Sequence, residues 1–405
     1  MSAHASRNVW AASAASFFTD ISSEMIHNVL PLYLAGVIGA PTLAIGFIEG
    51  GAGFIASMVK MVSGALSDRM RARKPLAVCG YALSALAKPF FALPAAWTGL
   101  AAVRWVERVG KGVRTAPRDA LIADATLRSG RGVAFGLHRA ADTAGAILGL
   151  LLAIAALHLS GDGAEGIRRE TFQLLVWLSL GPAVLGVLSL ALGAREKGVA
   201  AGPGRPPAGR GGLGRPFVLF LLVAGLFELG NSSDAFLILR ARERGLGVVG
   251  ILWVLVAFNL VYAVVSMPAG RLSDRLGRKR IMVLGWSLYA VVYLGFAVIG
   301  SSRGLLVLYL GYGAYQGLVT GTARALIADL VPVPARGTAY GLYGALLGTT
   351  AFPASLLAGF LWEGAGSWSG LGAAAPFYLG AATSFLAAVL LPVLVRSPGP
   401  AADDR

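Results

Sequence analysis

Two stretches of this 405-residue sequence place ionisable side chains at helical spacing among apolar residues. The first is FFTDISSEMIHN, residues 17–28, in which Asp20, Glu24 and His27 are four and three residues apart and share one helical face. Carboxylates set among apolar groups and near cations can change protonation when their surroundings change. We therefore expect Asp20, Glu24 and His27 to couple proton movement to the function, with a plain buried hydrogen bond as the alternative for His27.

The second stretch is RVGKGVRTAPRDALIAD, residues 108–124, which is rich in cations. At about 100° per residue, one line along this helix and its preceding turn carries Arg104, Arg108, Lys111, Thr115 and Arg118. A cation that faces lipid at mid-depth costs about 2.5–3.5 kcal/mol, so the stripe must face protein or a water-filled cavity. Two interpretations stay open: a salt-bridge network that stabilises the fold, and a cavity wall that attracts anions.

Other polar residues complete the set of candidates. His138 and Asp142 are one helical turn apart and form a second candidate coupling pair, although an interhelical hydrogen bond is the slightly favoured role. The residues expected to contact a substrate are Arg108, Lys111, Glu24, Asn231, Asp234 and Asn259. The aromatic residues that are candidates for stacking on a substrate ring are Trp105, Trp253, Tyr262 and Tyr312.

The composition shows what kind of element must position these groups. Apolar residues make up 56% of the chain and charged residues 14%, and apolar runs of about 20 residues recur. This predicts an all-α membrane protein and excludes a soluble globular fold and a β-barrel. Lys and Arg outnumber Asp and Glu by 35 to 20, but they fall mostly in short loops, which indicates membrane topology and no nucleic-acid partner.

Apolar runs between Gly, Pro and charged residues predict about twelve transmembrane helices. Their expected positions are 9–36, 42–66, 75–94, 97–126, 131–159, 171–193, 216–239, 246–270, 280–300, 303–330, 336–362 and 373–395. A Gly-, Pro- and Arg-rich linker at 195–215 separates an N-terminal bundle, 1–194, from a C-terminal bundle, 216–396, and 397–405 form a tail.

The basic loops lie on alternate connections. By the positive-inside rule they face the cytoplasm, as do both termini, in a multi-pass protein of the cytoplasmic membrane. The segment RARERG, residues 240–245, falls on the outer side, where we expect a lipid head-group contact. Lys60 and Lys88 are expected to extend to the interface, and the single Cys79 to be a core residue.

The two halves of the chain repeat one another. ALIAD occurs at 120–124 and at 325–329, and RGVAFGL at 131–137 returns as RGTAYGL at 336–342, both 205 residues later. GALSDRM at 64–70 returns as GRLSDRL at 270–276, and SSE at 22–24 as SSD at 232–234. Matches in the same order predict two pseudo-symmetric six-helix bundles related by an axis along the membrane normal.

The segment GRLSDRLGRKR, residues 270–280, resembles the cytoplasmic loop between the second and third helices of each half in the major facilitator superfamily. Arg108 and Gly112 fit a second pattern of that family on the fourth helix. The resemblance covers nearly the whole chain and implies a monomeric secondary transporter that works by alternating access. The residues that it implies for gating are Asp68, Arg69, Asp274, Arg275, Arg131 and Arg336.

The repeat also separates the two interpretations of the cationic stripe. Arg108 and Lys111 correspond to Gly313 and Gln316, so the second bundle forms without these charges. We therefore expect an anion-attracting cavity. With the resemblance to proton-coupled efflux members, this predicts export of a small organic, anionic solute driven by proton entry, with import left open.

The sequence leaves two other functions open. One is a divalent metal-ion transporter that uses Asp20, Glu24 and His27, which nearby cations disfavour. The other is a membrane receptor that binds without transport. The expected partners are a small-molecule substrate, protons and the lipid bilayer. No serine–base pair, metal-ligand cluster or phosphate-binding loop stands out, so neither an enzyme nor a cofactor nor a resident metal is expected.

Overall fold

A computed structural model describes residues 7–70, 73–126, 131–163, 166–196, 213–332 and 335–395 of the chain. Within them lie the α-helices α1 Arg7–His27, α2 Leu30–Gly36, α3 Thr42–Met70, α4 Arg73–Ala87, α5 Trp97–Asp124, α6 Arg131–Leu159, α7 Arg169–Gly193, α8 Arg215–Gly230, α9 Ala235–Glu243, α10 Val248–Leu276, α11 Arg278–Val298, α12 Leu305–Leu330, α13 Arg336–Glu363 and α14 Ala375–Leu394. The described part contains one isolated β-bridge, between Ala365 and Trp368, and no named strand. Most of the predicted linker and the tail lie outside the described residues.

Three of the predicted helices are interrupted. The span 9–36 breaks between α1 and α2, where Pro31 occupies the first turn of α2 and cannot donate a backbone hydrogen bond to a preceding turn. The span 75–94 ends as a 3₁₀ turn, Lys88–Ala92, which contains Pro89. The span 216–239 breaks between α8 and α9 at residues 231–234, a polar run that favours local bonds over helix continuation.

Nine segments of the described chain are long and apolar enough to cross a membrane. Helices α1, α5 and α12 do not meet that criterion, because polar and small residues lower their hydropathy. A helix of this kind must be shielded from lipid by its neighbours. The three helices with the weakest membrane signal are therefore the ones expected around an internal site.

Helix contacts divide into two sets of neighbours. In the first half α1 packs on α6 and α7, and α5 packs on α3 and α4. In the second half α12 packs on α10 and α11, and α14 packs on α8 and α11. The halves meet chiefly where α3 contacts α13 and where α6 contacts α10. This arrangement confirms the all-α fold predicted from the repeat.

One end of the molecule, here named the basic end, gathers the start of α1 and the starts of α4 and α11. Arg7 Nε donates to the carbonyl of Gly193 at 2.6 Å, which places the end of α7 beside the start of α1. The backbone N–H of Arg73 donates to Glu196 at 2.9 Å, and Lys279 Nζ donates to the carbonyl of Val395 at 2.9 Å. Both ends of the described chain therefore lie at the basic end.

The two halves close against each other at the opposite end, here named the far end. Thr42 at the start of α3 donates from its hydroxyl to Oε2 of Glu363 at the end of α13, at 2.8 Å. Gly46 packs so closely on α13 that a Cβ there would overlap the carbonyl oxygen of Ser355. Nearer the basic end, Gly341 has no such neighbour within 4 Å. The close packing of α3 on α13 thus does not extend to Gly341.

A loop between α6 and α7 extends the far-end closure. The carbonyl of Gly163 accepts a hydrogen bond from the backbone N–H of Val249 in α10 at 3.3 Å, and Gly163 has a φ of 108°, which favours glycine. Burial raises the pKa of Asp162, but hydrogen bonds from Thr171 and Arg168 outweigh this and hold that pKa below its usual value. Asp162 thereby fixes the loop that carries Gly163.

Candidate functional site

A cavity of about 530 Å³ lies between the two halves and is lined from both. Its polar lining from the first half comprises Asp20, Ser23, Glu24, His27, Asn28, Glu49, Arg104, Glu107, Arg108, Lys111 and Arg114. The second half contributes Glu228, Asn231, Ser232, Ser233, Asp234, Asn259, Tyr312, Gln316 and Ser355. All six predicted substrate-contacting residues are in this lining, as are three of the four predicted coupling residues.

Arg104 forms the centre of a buried ion-pair network in the first half. Its guanidinium donates to both carboxylate oxygens of Glu49, at 3.0 and 2.8 Å, and to Oε2 of Glu107 at 3.4 Å. Arg108 Nε lies 3.7 Å from the same oxygen of Glu107, and His27 Nε2 lies 3.5 Å from it. The charges of Arg104 and Arg108 are therefore largely matched by Glu49 and Glu107.

Two further cations of α5 are also held within the first half. The guanidinium of Arg114 stacks over the ring of Tyr81 at 4.7 Å and donates to Ser84 Oγ at 2.8 Å. Arg118 donates to Asp119 at 2.8 Å and to Ser16 at 3.0 Å. The salt-bridge interpretation thus describes much of the stripe.

Lys111 is the exception. Its side chain is exposed to the cavity, and within the described residues its ammonium has no hydrogen bond or ion pair. It sits on α5 between Arg108 and Arg114, which are already engaged. Lys111 is thus a cation of this wall that is available to a ligand.

The predicted coupling residues differ in their surroundings. Asp20 has no hydrogen-bond partner within the described chain, and the charged groups acting on it are Asp142, Lys111, Glu24 and Arg114. Glu24 accepts a hydrogen bond from the amide of Asn28 at 2.6 Å. The carboxylate of Asp20 therefore faces charges without being held by a direct bond.

The favoured role for His138 and Asp142, an interhelical hydrogen bond, is wrong. His138 Nε2 lies 3.7 Å from Asp142 Oδ1 on the same helix, and among the described residues both ring nitrogens of His138 and that oxygen of Asp142 are buried without a hydrogen-bond partner. Buried polar atoms that lack a hydrogen bond cost free energy, and His138 and Asp142 carry this cost. Asp142 also acts electrostatically on Asp20.

The second half presents carboxylates among aromatic rings. Glu228 accepts from the amide of Asn231 at 3.0 Å, and the hydroxyl of Tyr289 donates to the amide oxygen of Asn231 at 3.2 Å. Tyr312 donates to Oδ1 of Asp234 at 2.7 Å. Asn259 Nδ2 donates to the carbonyl of Leu255 on its own helix at 2.9 Å. This wall combines acceptors with ring faces.

The loops predicted to act as gates are held by residues that sequence reasoning missed. Arg278 donates to Asp329 at 2.8 Å and lies 3.6 Å from Asp274, and the repeat-related Arg73 lies 3.4 Å from Asp124. Asp124 and Asp329 are the last residues of the two copies of ALIAD, and this repeated motif is the sequence signal that could have identified them. Each gating loop is thus tied to the end of α5 or α12.

The predicted gating residues themselves form fewer ion pairs and hydrogen bonds in the described part of the chain. Arg69 and Arg275 have exposed side chains, and Arg336 Nε donates to the carbonyl of Ala328 at 3.1 Å. The side chains of Asp68 and Arg131 lie outside the described residues.

Several other expectations are wrong. Lys88 is 1% exposed and donates to Ser23 Oγ at 3.2 Å, because the 3₁₀ turn after α4 directs it into the bundle instead of the interface. Within the segment 240–245, Arg240 is 1% exposed and donates to the carbonyls of Phe296 and Ala297 at the end of α11, so this residue satisfies a helix terminus; the head-group contact stays a prediction for the rest of the segment. Cys79 is exposed.

Of the four aromatic candidates, Tyr312 alone is in the lining of this cavity. Trp105 donates from its indole to the carbonyl of Ile48 at 3.0 Å and packs on Gly51, and Trp253 is exposed on α10. Tyr262 accepts from Arg139 across the interface between the halves.

The metal-ion alternative finds no geometric support. The described part of the chain holds no group of three or more His, Cys, Asp or Glu residues placed to bind a metal ion. Asp20, Glu24 and His27 share a helix but do not converge on one point, since Glu24 accepts from Asn28 and His27 lies near Glu107.

Comparison with known proteins gives one consistent result. The family model for the Major Facilitator Superfamily matches residues 12–247 and 220–405. An uncharacterised MFS-type transporter of Methanocaldococcus jannaschii, MJ1317, is 36% identical over 368 residues, which cover 88% of this chain and 89% of that protein.

Solved structures show the same fold. A POT family transporter in complex with 5-aminolevulinic acid superposes with a TM-score of 0.80 at 12% identity, over 96% of each chain. A D-xylose–proton symporter superposes with a TM-score of 0.75 at 14% identity, over 96% of this chain and 97% of that one. Both the sequence matches and the shared fold lead to one assignment: the chain belongs to the major facilitator superfamily and is a secondary transporter.

Proposed function

We propose that this transporter exports a small organic solute bearing an anionic group, by proton-coupled alternating access across the cytoplasmic membrane. The observation that carries the proposal is the ammonium of Lys111, which is exposed in a cavity shared by both halves and has no partner within the described chain. A cation in a cavity of low dielectric attracts an anion strongly, because little water competes for the charge.

The neighbouring cations support this role for Lys111. Arg108 approaches Glu107 at 3.7 Å and makes no hydrogen bond from its Nε, so part of its field still reaches the cavity. The site proposed for the solute comprises Arg108, Lys111, Glu24, Asn231, Asp234 and Asn259.

The proposed direction of transport rests on the proposed membrane orientation and on the resemblance to efflux members. The positive-inside rule places the basic end, with both termini, in the cytoplasm. The far end is closed by the contact of α3 with α13, and we propose that the cavity opens toward the basic end, where Gly341 of α13 has no neighbour within 4 Å. This is the state in which an exporter takes up its solute, and the resemblance to proton-coupled efflux members favours the same direction.

Proton coupling is proposed to depend on Asp20, Glu24, His27 and Asp142. Asp20 has no direct hydrogen bond within the described residues and is acted on by Lys111 and Asp142. Its charge state therefore depends on what occupies the cavity. Arg69, Asp274, Arg275 and Arg336, with Asp68 and Arg131, are proposed to control opening at the basic end together with Arg73 and Arg278.

The test is Lys111→Gln, which copies the residue of the repeat-related position 316. A charge-assisted hydrogen bond is worth about 1.5–3 kcal/mol, so affinity should fall about ten- to a hundredfold. Thermal stabilisation of purified protein by a panel of small carboxylates and organic phosphates measures affinity, and counterflow in proteoliposomes measures transport.

Lys60→Gln is the matched control, because Lys60 is an exposed lysine of α3 outside the cavity lining. It should leave affinity unchanged. A large loss of thermal stability in Lys111→Gln, with unchanged affinity for every anion that stabilises the wild type, would show that Lys111 is structural and would overturn the proposal.

A further inference from the structure

Two of the charged residues that line the cavity are more exposed than the others. The charged residues in the lining are Asp20, Glu24, Glu49, Arg104, Glu107, Arg108, Lys111, Arg114, Glu228 and Asp234. Of these, only Lys111 and Asp234 have exposed side chains; the others are buried or half-buried. The two have opposite charge and belong to opposite halves, so the described lining exposes one cation and one anion to a ligand.

Asp234 lies in the break between α8 and α9, at the residue preceding α9. A carboxylate at this position usually caps the helix, but its side chain makes no capping hydrogen bond. It receives a bond from Tyr312 on one oxygen, and no Lys or Arg of the described chain forms an ion pair with it. The second oxygen is thus left for a ligand.

The ring faces beside Asp234 suit the same kind of ligand group. Tyr312 stacks on Phe258 with ring centroids 5.4 Å apart, and both residues line the cavity. A carboxylate beside aromatic faces favours an ammonium or amidinium group, which gains a charge-assisted hydrogen bond and a cation–π contact together. A carboxylate of the ligand would instead be repelled from this wall.

We infer that the solute is dipolar: its anionic group binds Lys111 on the first half, and a cationic nitrogen binds Asp234 on the second half. This inference rests on the proposed function and names its substrate class. A ligand that bridges the halves in this way contacts both moving parts of the transporter, so its binding depends on their relative position.

The second charge also explains how a proton exchanges with the solute. Protonation of Asp20 does not compete with an anion at Lys111, so exchange of a proton for the solute requires a second group, besides Asp20, that both of them can occupy. An ammonium and a proton instead compete for the carboxylate of Asp234, as export driven by proton entry requires. The titratable groups that face Asp234 are Tyr309, Tyr312 and Tyr315 of α12, Tyr293 of α11, Glu24 of α1 and Glu49 of α3.

The experiment uses purified full-length protein and a panel of α- and ω-amino acids, each beside its N-acetyl derivative and its carboxamide. The N-acetyl form retains only the anion and the carboxamide only the cation. We expect stabilisation by at least one amino acid, with affinity about ten- to a hundredfold lower for each of its single-charge derivatives.

Variants assign each charge to its wall. Asp234→Asn should bind the amino acid and its N-acetyl form equally, and Lys111→Gln should bind the amino acid and its carboxamide equally. Glu170→Gln, which removes an exposed carboxylate on α7 outside the cavity, should retain the preference of the wild type.

The outcomes distinguish the two proposals. If N-acetyl forms bind the wild type as tightly as the amino acids, or if no amino acid stabilises it, the dipolar inference is wrong, while anion binding at Lys111 stands on its own test. If carboxamides bind as tightly as the amino acids and Lys111→Gln changes nothing, the proposed anionic solute is wrong as well.

Discussion

At the scale of single residues, Arg104 shows how the first half stabilises a charge that is buried between its helices. Its guanidinium is 2% exposed and is bonded to Glu49 of α3 and to Glu107 of its own helix. Such a group is stable only with its partners, because an unpaired buried charge loses its hydration without compensation. The network therefore contributes to holding α3 against α5, and it leaves Lys111 as the wall's free cation.

We predict that Arg104→Gln destabilises the protein by about 3–5 kcal/mol, because it leaves the carboxylates of Glu49 and Glu107 buried without their main partner. Thermal and denaturant unfolding in detergent would measure this. The exposed Arg303 provides a control, since Arg303→Gln should change stability by less than about 0.5 kcal/mol.

Adding Glu49→Gln to Arg104→Gln should recover part of the lost stability, because one stranded carboxylate is then neutral. A double variant no more stable than Arg104→Gln alone would contradict the assignment of this pair as the source of the loss.

At the scale of helices, the closure of the far end depends on small residues where α3 meets α13. A Cβ at Gly46 or Gly50 would crowd the backbone of α13 at Ser355 or Phe352. Helices can approach this closely only where side chains are absent. The same contact must part when the far end opens, so its tightness sets the balance between the two states.

We predict that Gly46→Val shifts the protein toward the state open at the far end. Overpacking costs about 1–3 kcal/mol, which corresponds to about a 5- to 150-fold change in that equilibrium. The readout is a single thiol at Gln316→Cys in a Cys79→Ser background, labelled by an impermeant maleimide in vesicles of each orientation.

Labelling from the far end should accelerate in Gly46→Val and stay at the wild-type rate in Gly341→Val, since a Cβ at Gly341 meets no atom within 4 Å. Equal labelling rates for Gly46→Val and the wild type would show that this contact does not control the far end.

The helices also show which features sequence reasoning can reach. The repeat at 120–124 and 325–329 predicted the two halves, because equal motifs at equal spacing imply equal folds. The helix break at 231–234 could not be predicted, because the apolar runs on either side dominate the mean hydropathy of the whole span. The pairing of Arg104 with Glu49, 55 residues away, depends on the rotation of two helices about their axes, which one sequence does not specify.

At the scale of the whole molecule, the halves share a fold but differ in charge. Cations of α5 face the cavity from the first half, whereas the repeat-related α12 contributes Tyr312 and Gln316. The ties between loop and helix end are kept in both halves, as Arg73 with Asp124 and Arg278 with Asp329. Symmetry is thus retained where opening is proposed to be controlled and lost where the solute is proposed to bind.

The proposed proton coupling belongs to this scale, because it would link a proton on one residue to the end at which the molecule is open. We predict that Asp20→Asn abolishes solute accumulation driven by a pH gradient, since the neutral amide cannot bind and release a proton. Counterflow without a gradient should remain measurable. Both assays use proteoliposomes loaded with the solute found in the stabilisation panel.

Glu170→Gln should keep gradient-driven accumulation at the wild-type level, as an exposed carboxylate outside the cavity. If Asp20→Asn still concentrates the solute under a pH gradient, the coupling group lies elsewhere, and Asp142 is the next residue to replace.

The low hydropathy of α5 also constrains the order in which the protein is made. A segment that carries Arg104, Glu107, Arg108, Lys111 and Arg114 does not meet the criterion for an independent membrane span, and each centrally placed charge opposes insertion by about 2.5–3.5 kcal/mol. Its main partners, Glu49 and Tyr81, precede it in the chain. During synthesis, α3 and α4 therefore leave the ribosome before α5. We expect α5 to insert into the bilayer by packing against these two helices.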